Sequence, residues 1–421
     1  MSNKGIFLAD IGISENSGFL KLEIKQKLKI QGDQMKYSVP AQTENNLIDF
    51  YRSAIRTPSY SNQEGDIASL ILKQMEKLGF DECYIDRVGN VVGRVGSGAK
   101  IIHFDSHMDT VNAGDPVLWD HPPFSADYAD GFIYGRGSVD MKGGLSASVY
   151  AAAEAKKQGL LDGKTIYVTT TVCEEDCDGV NLINFYKDSG IKPNFVFICE
   201  PSDNVITLGH NGKMQVRIRT QGVSAHGSAP EKGVNAVYEM AEIITRVDEL
   251  NKKLQKTEGK GTVVLSKITS VAASLNAVPS ECEIYLDRRL RLGESIEDVK
   301  KEMDALVEGK PAKWELGVLK ETSWKGEALV YRPEHDPWKI AEDAELTKAC
   351  IRAYEDVFGE KPKKFEFWDF GTNAVVPVSM GIPTIGFGPG EYKLAHMINE
   401  RCRPEQVKEA ANFYLYAIAE L

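Results

Sequence analysis

At 421 residues the chain exceeds what one hydrophobic core usually organises, so two domains are expected. A formal net charge of −11 with no basic stripe excludes a nucleic-acid or anionic-membrane partner. No apolar run approaches the ~18 residues that cross a bilayer. Met1 to Ile30 lacks the apolar core and cleavage site of a signal peptide, and seven irregularly spaced cysteines read as reduced thiols, so a cytoplasmic protein is expected.

Residues 1–40 show no period and read as an irregular lead-in, and from Asn45 the chain looks helical. Ile67, Leu70, Ile71, Met75 and Leu78 keep the i, i+3, i+4 spacing of an amphipathic helix, which Gly79 stops. Tyr84-Ile85 and Val91-Val92, separated by a Val88-Gly89-Asn90 turn, predict two short strands. A strand over 101–105, a helix over 141–157, a strand over 165–173, a helix over 179–188 and a strand over 195–199 follow. That alternation predicts a largely parallel sheet faced by helices.

After Gly212 the order changes. A strand (213–221), a helix (233–254), two strands (262–271 and 280–289), a helix (295–308) and a strand (314–320) spell β-α-β-β-α-β, a compact ferredoxin-like unit. A helix near 342–357, strands over 364–368 and 382–387 and a closing helix over 404–420 resume the α/β pattern. The expected fold is therefore α/β. A catalytic domain from 1–212 and 327–421, with a mixed, largely parallel sheet, carries an inserted α+β ferredoxin-like domain over 213–326.

The polar residues at the ends of these strands carry the chemistry. His107 and Asp109 follow the apolar strand, and their i, i+2 spacing lets Asp109 orient the imidazole. His103 and Asp105 share that alternation, but ligands of open α/β sheets gather at the carboxyl ends of strands, which favours His107. Asp140 lies in the Gly-rich run Gly135 to Gly144 just before a helix. There it could bridge two cations, cap the helix, or belong to a phosphate cradle; the lysine-serine ending of a Walker loop is missing.

Glu174 and Glu175 end the next strand, where one can bind metal while the other faces a water; adjacent acids on a surface turn are the plain alternative. Glu200 ends a buried strand, where an unpaired carboxylate would be costly. His396 follows the Gly386-Phe387-Gly388-Pro389-Gly390 turn. In the inserted domain His226 sits on the tight loop Ser224 to Pro230, Asn276 precedes Val278-Pro279, and Arg289 ends Asp287-Arg288-Arg289. These suit oxyanion donors and a carboxylate clamp, or else structural caps and ion pairs. Two imidazoles and several carboxylates form about the donor set that a pair of divalent metals requires, which points to a two-metal hydrolase. Cys173, Cys177 and Cys199 read as small core residues rather than thiolate ligands.

The order and spacing of these segments resemble the M20 family of dinuclear zinc metallohydrolases from about residue 45 to the C-terminus. That family includes desuccinylases, deacetylases, aminoacylases, carboxypeptidases and di- and tripeptidases. The resemblance implies that His107, Asp140, Glu175, Glu200 and His396 are the metal ligands, with Asp140 bridging, and that Glu174 is the general base. It makes Asp109 the His-orienting acid and His226 a lid imidazole that reaches a neighbouring subunit's site. Arg289 and Asn276 would bind substrate.

The resemblance further implies two divalent ions, zinc first with cobalt or manganese as substitutes. The substrate would be a small peptide or N-acyl amino acid cleaved beside a carboxylate, and the inserted domain would act as lid and homodimer interface. Glu174 to Gly179 and Asp287 to Leu290 look most similar to a branch linked to selenium metabolism. Cys173, Leu292 and the segment Trp368 to Asn373 depart from the usual pattern. A non-catalytic binding protein on the same fold is the rival reading; it would be expected to lack the base or a ligand.

Overall fold

The computed structural model describes residues 36–421, so most of the expected lead-in lies outside the described residues. The larger sheet has nine strands. Across it run Glu82–Ile85, Val91–Gly96, Lys164–Thr171, Lys100–His107, Phe195–Ile198, Thr384–Gly386, Thr207–His210 and Trp338–Lys339, with Glu366–Trp368 also pairing with Thr207–His210. The four central strands, from Lys164–Thr171 to Thr384–Gly386, are parallel. The margins are antiparallel on both sides, apart from the parallel pairing of Glu366–Trp368. The sheet is thus mixed, parallel at its centre and antiparallel at most of its margins.

The helix Lys142–Lys157 holds this layer together. Its sequence is mostly Gly, Ala and Ser, and every residue from Lys142 to Ala155 is buried. Small side chains let it sit between the sheet and the closing helix Pro404–Glu420. At Gly144 a Cβ would stand 2.0 Å from the Cys199 carbonyl oxygen, so only glycine permits that approach. The expected helix around Ile67 runs Gly65–Leu78, buries Ile67, Ala68, Ile71 and Met75, and ends at Gly79, whose φ of 82° is the left-handed cap that glycine adopts freely.

The second sheet has five strands, in the order Thr262–Val271, Glu281–Leu290, Gly212–Gln221, Ala312–Leu316, with Glu334–His335 also pairing with Gly212–Gln221, all antiparallel. The helices Ala236–Gln255 and Ile296–Val307 cover one face; the second is fixed by a capping box between Ser295 and Asp298. This is the connectivity read from the alternation. Met214, Val216, Ile218, Ile284 and Leu286 meet Met240, Ile243, Val299 and Met303 in a core separate from the larger one.

One expected element divides. The strand anticipated over 314–320 breaks at Gly317-Val318, where Gly317 N donates to Gln215 O at 2.8 Å. Leu319–Thr322 then pairs with Ala328–Tyr331 in a hairpin whose Leu319, Trp324, Leu329 and Tyr331 pack on the larger core. Among the described residues no helix is long and apolar enough to cross a membrane, and all seven cysteines are free.

Candidate metal centre

The central parallel strands end at one edge, and their carboxyl ends carry the donors. His107 is the last residue of Lys100–His107, Glu174 and Glu175 follow Lys164–Thr171, and Glu200 follows Phe195–Ile198. Asp140 arrives from the Gly-rich turn ahead of Lys142–Lys157, and His396 from the loop after Thr384–Gly386.

Two sets of three donors result, His107 with Asp140 and Glu200, and Asp140 with Glu175 and His396. Asp140 belongs to both. Its Oδ1 lies 2.8 Å from His107 Nε2 and its Oδ2 lies 3.2 Å from His396 Nε2. Glu200 Oε1 stands 3.6 Å from His107 Nε2, and Glu175 Oε2 3.0 Å from His396 Nε2.

Asp109 braces this arrangement from behind. Its backbone oxygen is 3.0 Å from His107 Nδ1 and its Oδ1 is 3.4 Å away, so the far side of the ring is engaged. The same carboxylate accepts from the Glu174 and Glu175 amides at 3.1 and 3.3 Å and from the Ser61 hydroxyl at 2.7 Å. The rival pair lies deeper. His103 is wholly buried against Tyr186 OH (2.7 Å) and Thr169 Oγ1 (2.8 Å), and Asp105 accepts from Asn373 Nδ2 at 2.8 Å.

Burial dominates the carboxyl titrations. It pushes Glu200 well above the carboxylate range, with Asp140 adding to it. Glu174 is also pushed well up by burial, which the His107 imidazole opposes and Glu200 reinforces. Glu175 is pushed up to about 7 by burial and then by Asp140. For Asp140 burial works against the charge, yet hydrogen bonds with His107 and His396 hold it below its ordinary value. His396 is raised to about 10 by its hydrogen bonds with Asp140 and Glu175. Burial disfavours the His107 charge, but Glu200, Asp109 and Asp140 together hold it well above the usual imidazole range.

Four carboxyls crowded around two imidazoles, Glu174 and Glu200 buried and Asp140 and Glu175 partly so, are stable only with positive charge among them, carried by protons or by cations. Glu174 Oε1 is buried without a hydrogen-bond partner among the described residues. Hard oxygen and imidazole donors in two triads with a shared carboxylate fit a pair of divalent ions.

A cavity of about 300 Å³ opens on these groups. Asp140, Glu174, Glu175, Glu200 and His396 line one side; Lys213 and Arg289 come from the second sheet, and Phe370 and Tyr392 face each other 5.9 Å apart. Arg289 is half-buried and faces the cavity, whereas Arg288 is buried on the opposite face between Glu294 and Glu302. His226 and Asn276 do not line this cavity. They stand on adjacent exposed loops of the second sheet, joined by a bridge from His226 to Ala277 and by Gly227 N donating to Asn276 O at 2.6 Å. The departing segment Trp368 to Asn373 lies at the site: Phe370 and Gly371 form its wall, and Asn373 ties Asp105, Thr171 and the Gly179 amide together.

A model of peptidase family M20/M25/M40 matches residues 103–420. The chain belongs to this family. It is 40% identical over 376 residues, 88% of this chain and 93% of the relative, to the uncharacterized protein YgeY of Escherichia coli K12. It is 26% identical to a succinyl-diaminopimelate desuccinylase of Cereibacter sphaeroides, over 86% of this chain and 95% of that one. Among solved M20 and related structures it resembles aminopeptidase PepT of Bacillus cereus, with a TM-score of 0.66, 22% identity and 90% and 98% of the two chains covered. It likewise resembles YXEP of Bacillus subtilis, described as a dinuclear metal-binding M20 peptidase, with a TM-score of 0.63, 15% identity and 90% and 98% covered. The M20 assignment accounts for the fold and for an amide-bond hydrolase that depends on metal.

Two residues that organise the centre had no motif to announce them. Glu400 is fully buried and accepts from Val139 N (2.7 Å), Asp140 N (3.1 Å), Gly137 N (3.2 Å) and Arg136 Nη1 (2.6 Å). Arg136 in turn donates to the His396 carbonyl at 3.3 Å. One ion pair thus holds both the Asp140 turn and the His396 loop. The only sequence trace is an arginine between two loop glycines and an acid four residues after His396.

Proposed function

We propose that the chain is a dinuclear metal-dependent amidohydrolase that cleaves a peptide or N-acyl bond next to a carboxylate in a small substrate. The observation that carries this reading is the pair of donor triads sharing Asp140, with Glu174 buried beside them in the same cavity. His107 and Glu200 would hold one ion, Glu175 and His396 the other, and Asp140 both; zinc suits the donors, with cobalt or manganese as substitutes. Bound there, the ions supply Lewis acidity and lower the pKa of a water.

The remaining steps belong to the chain. Glu174 takes the proton of the attacking water and returns it to the leaving nitrogen, for which its partnerless Oε1 is suited. Asp109 keeps the His107 ring in place. Arg289 clamps the substrate carboxylate from the facing sheet, and Phe370 and Tyr392 restrict water.

In this reading residues 213–326 are lid and dimer interface, and 1–212 with 327–421 form the catalytic domain. Thr262–Val271 is an edge strand that exposes Val264, Ile268 and Val271, with Leu275 in the loop beyond it. Pairing with the same strand of a second copy would cover that edge by a two-fold contact. His226 and Asn276 lie close by that loop, where a partner's active site could receive His226 as an oxyanion donor and Asn276 as a substrate contact. The narrower link to selenium metabolism rests on Glu174 to Gly179 and Asp287 to Leu290 alone.

The test is hydrolysis of a panel of dipeptides and N-acyl amino acids by chelated protein and by protein reloaded with zinc, cobalt or manganese. Release of free amine only in the reloaded samples is expected. No turnover of any member by protein that holds two ions would favour the rival reading, a binding protein on the same fold.

A further inference from the structure

A second cavity of about 580 Å³ adjoins the metal cavity, and the two walls share Glu175, Lys213 and Arg289. One wall is the helix-free face of the second sheet. Along Gly212–Gln221 the even-numbered Met214, Val216 and Ile218 enter the core, so Lys213, Gln215 and Arg217 point the other way.

Register arranges the cations in two rows. Lys213 is opposite Arg289, beside the metal centre. Four residues further on, Arg217 is opposite Tyr285, which is opposite Lys267 on the next strand. The rows are roughly 13 Å apart along an extended strand.

The near row is engaged: Lys213 pairs with Asp178 at 2.6 Å and Arg289 with Asp287 at 2.8 Å. The far row is not. Arg217 donates only to the Val318 carbonyl at 3.2 Å and lies over the Tyr285 ring at 5.9 Å. Glu315 is directly opposite Arg217 on the neighbouring strand, yet it pairs with Arg219 at 3.0 Å, as Glu283 does at 2.5 Å. Asp176 belongs to the metal end of the wall, next to Glu175. Among the described residues neither Arg217 nor Lys267 has an ion-pair partner, in a chain whose net charge is −11.

We propose that this cavity is a second anion-binding subsite, in which Arg217 and Lys267 receive a carboxylate at the substrate end remote from Arg289. The preferred substrate is then a small amide with an anionic group at each end. The proposal rests on the amidohydrolase reading above and narrows its substrate class. The guanidinium, backed by the Tyr285 ring, offers a planar fork to a carboxylate, and Lys267 adds a point charge.

The experiment compares N-acyl amino acids whose acyl chain ends in a carboxylate (succinyl, glutaryl, adipoyl) with the same compounds capped as terminal methyl amides. The metal-loaded protein is expected to favour the best free carboxylate over its cap by roughly tenfold or more in kcat/KM. That preference should shrink with added salt. R217Q and K267Q should each reduce the ratio severalfold, and R217E should turn the preference towards an acyl chain ending in an amine. Capped compounds cleaved as well as free ones, or an unchanged ratio in R217Q and K267Q, would overturn the proposal.

If the variants do not fold, inhibition of the wild-type enzyme decides: a ten-carbon diacid, long enough to reach both rows, should outcompete decanoate, and equal inhibition overturns the subsite. If no compound in either series is cleaved, the amidohydrolase reading is what has failed. Calorimetric binding of the ten-carbon diacid against decanoate then judges the subsite on its own.

Discussion

Replacing Glu400 by Gln tests how the fold holds the two donor triads in register. The side chain keeps its size, but one of its two acceptor oxygens becomes an N–H donor. In the wild type those oxygens accept four hydrogen bonds, three from the backbone of the Asp140 turn and one from buried Arg136. The amide can satisfy only one side of that set, so either the guanidinium and the Gly137 amide or the Val139 and Asp140 amides lose their partner. Breaking one side of a buried ion pair costs about 3–5 kcal/mol, and each orphaned buried donor about 1–3. The losses overlap, so a total near 4 kcal/mol is expected, a large share of a typical 5–15 kcal/mol stability.

The second consequence is local. Arg136 also holds the His396 carbonyl, so both donor triads should loosen, with metal affinity falling about 10–100-fold. Denaturant unfolding of the chelated protein reads the first effect, and competition with a zinc-binding dye reads the second. A Glu400→Gln protein with wild-type unfolding midpoint and wild-type zinc affinity would refute the bracing role.

Three further expectations follow from other parts of the molecule. Glu174→Gln should keep two metals per chain and near-normal substrate affinity while turnover falls about 10²–10⁴-fold; near-normal turnover would move the base to Glu175. His226→Ala should lower kcat about 10²–10³-fold with metal content unchanged, and mixing it with Glu174→Gln subunits should restore activity. No recovery, with heterodimers seen by native mass spectrometry, would show that His226 does not serve a neighbour's site. Burial lowers the His103 pKa to about 3, so the folded state keeps this imidazole neutral where the unfolded chain protonates it near 6.5. Its contribution to stability is therefore intact above about pH 6.5 and falls as pH drops towards 3, at up to about 1.4 kcal/mol per pH unit. His103→Gln should be less stable at pH 8 yet lose less between pH 7 and 5, measured with chelator present; an unchanged slope would count against a neutral, buried His103.

The parts of the fold that periodicity controls were legible. Helices such as Gly65–Leu78 show a clean apolar stripe, and the β-α-β-β-α-β unit has two ten-residue strands, Gly212–Gln221 and Glu281–Leu290, along which buried and less buried residues alternate. Short elements were not. Thr207–His210 and Trp338–Lys339 are set by the sheet edge they meet rather than by their own pattern, and the Leu319–Tyr331 hairpin is set by Trp324 packing against Gly89. In the site, donors at strand ends could be found because strand ends have a sequence signature. Glu400 and Arg136 could not, since Glu400 lies in a polar loop, Arg136 in a Gly-rich turn read for its aspartate, and each acquires its role only when the two meet. The free cations Arg217 and Lys267 were equally silent, because being unpaired is a property of three-dimensional neighbours.

The most direct measurement is anomalous diffraction at the zinc edge from crystals grown with zinc. Two peaks per chain are expected, one between Asp140 Oδ1, His107 and Glu200 and the other between Asp140 Oδ2, Glu175 and His396. A single peak, or peaks away from Asp140 in protein that hydrolyses its substrate, would contradict the shared-carboxylate centre.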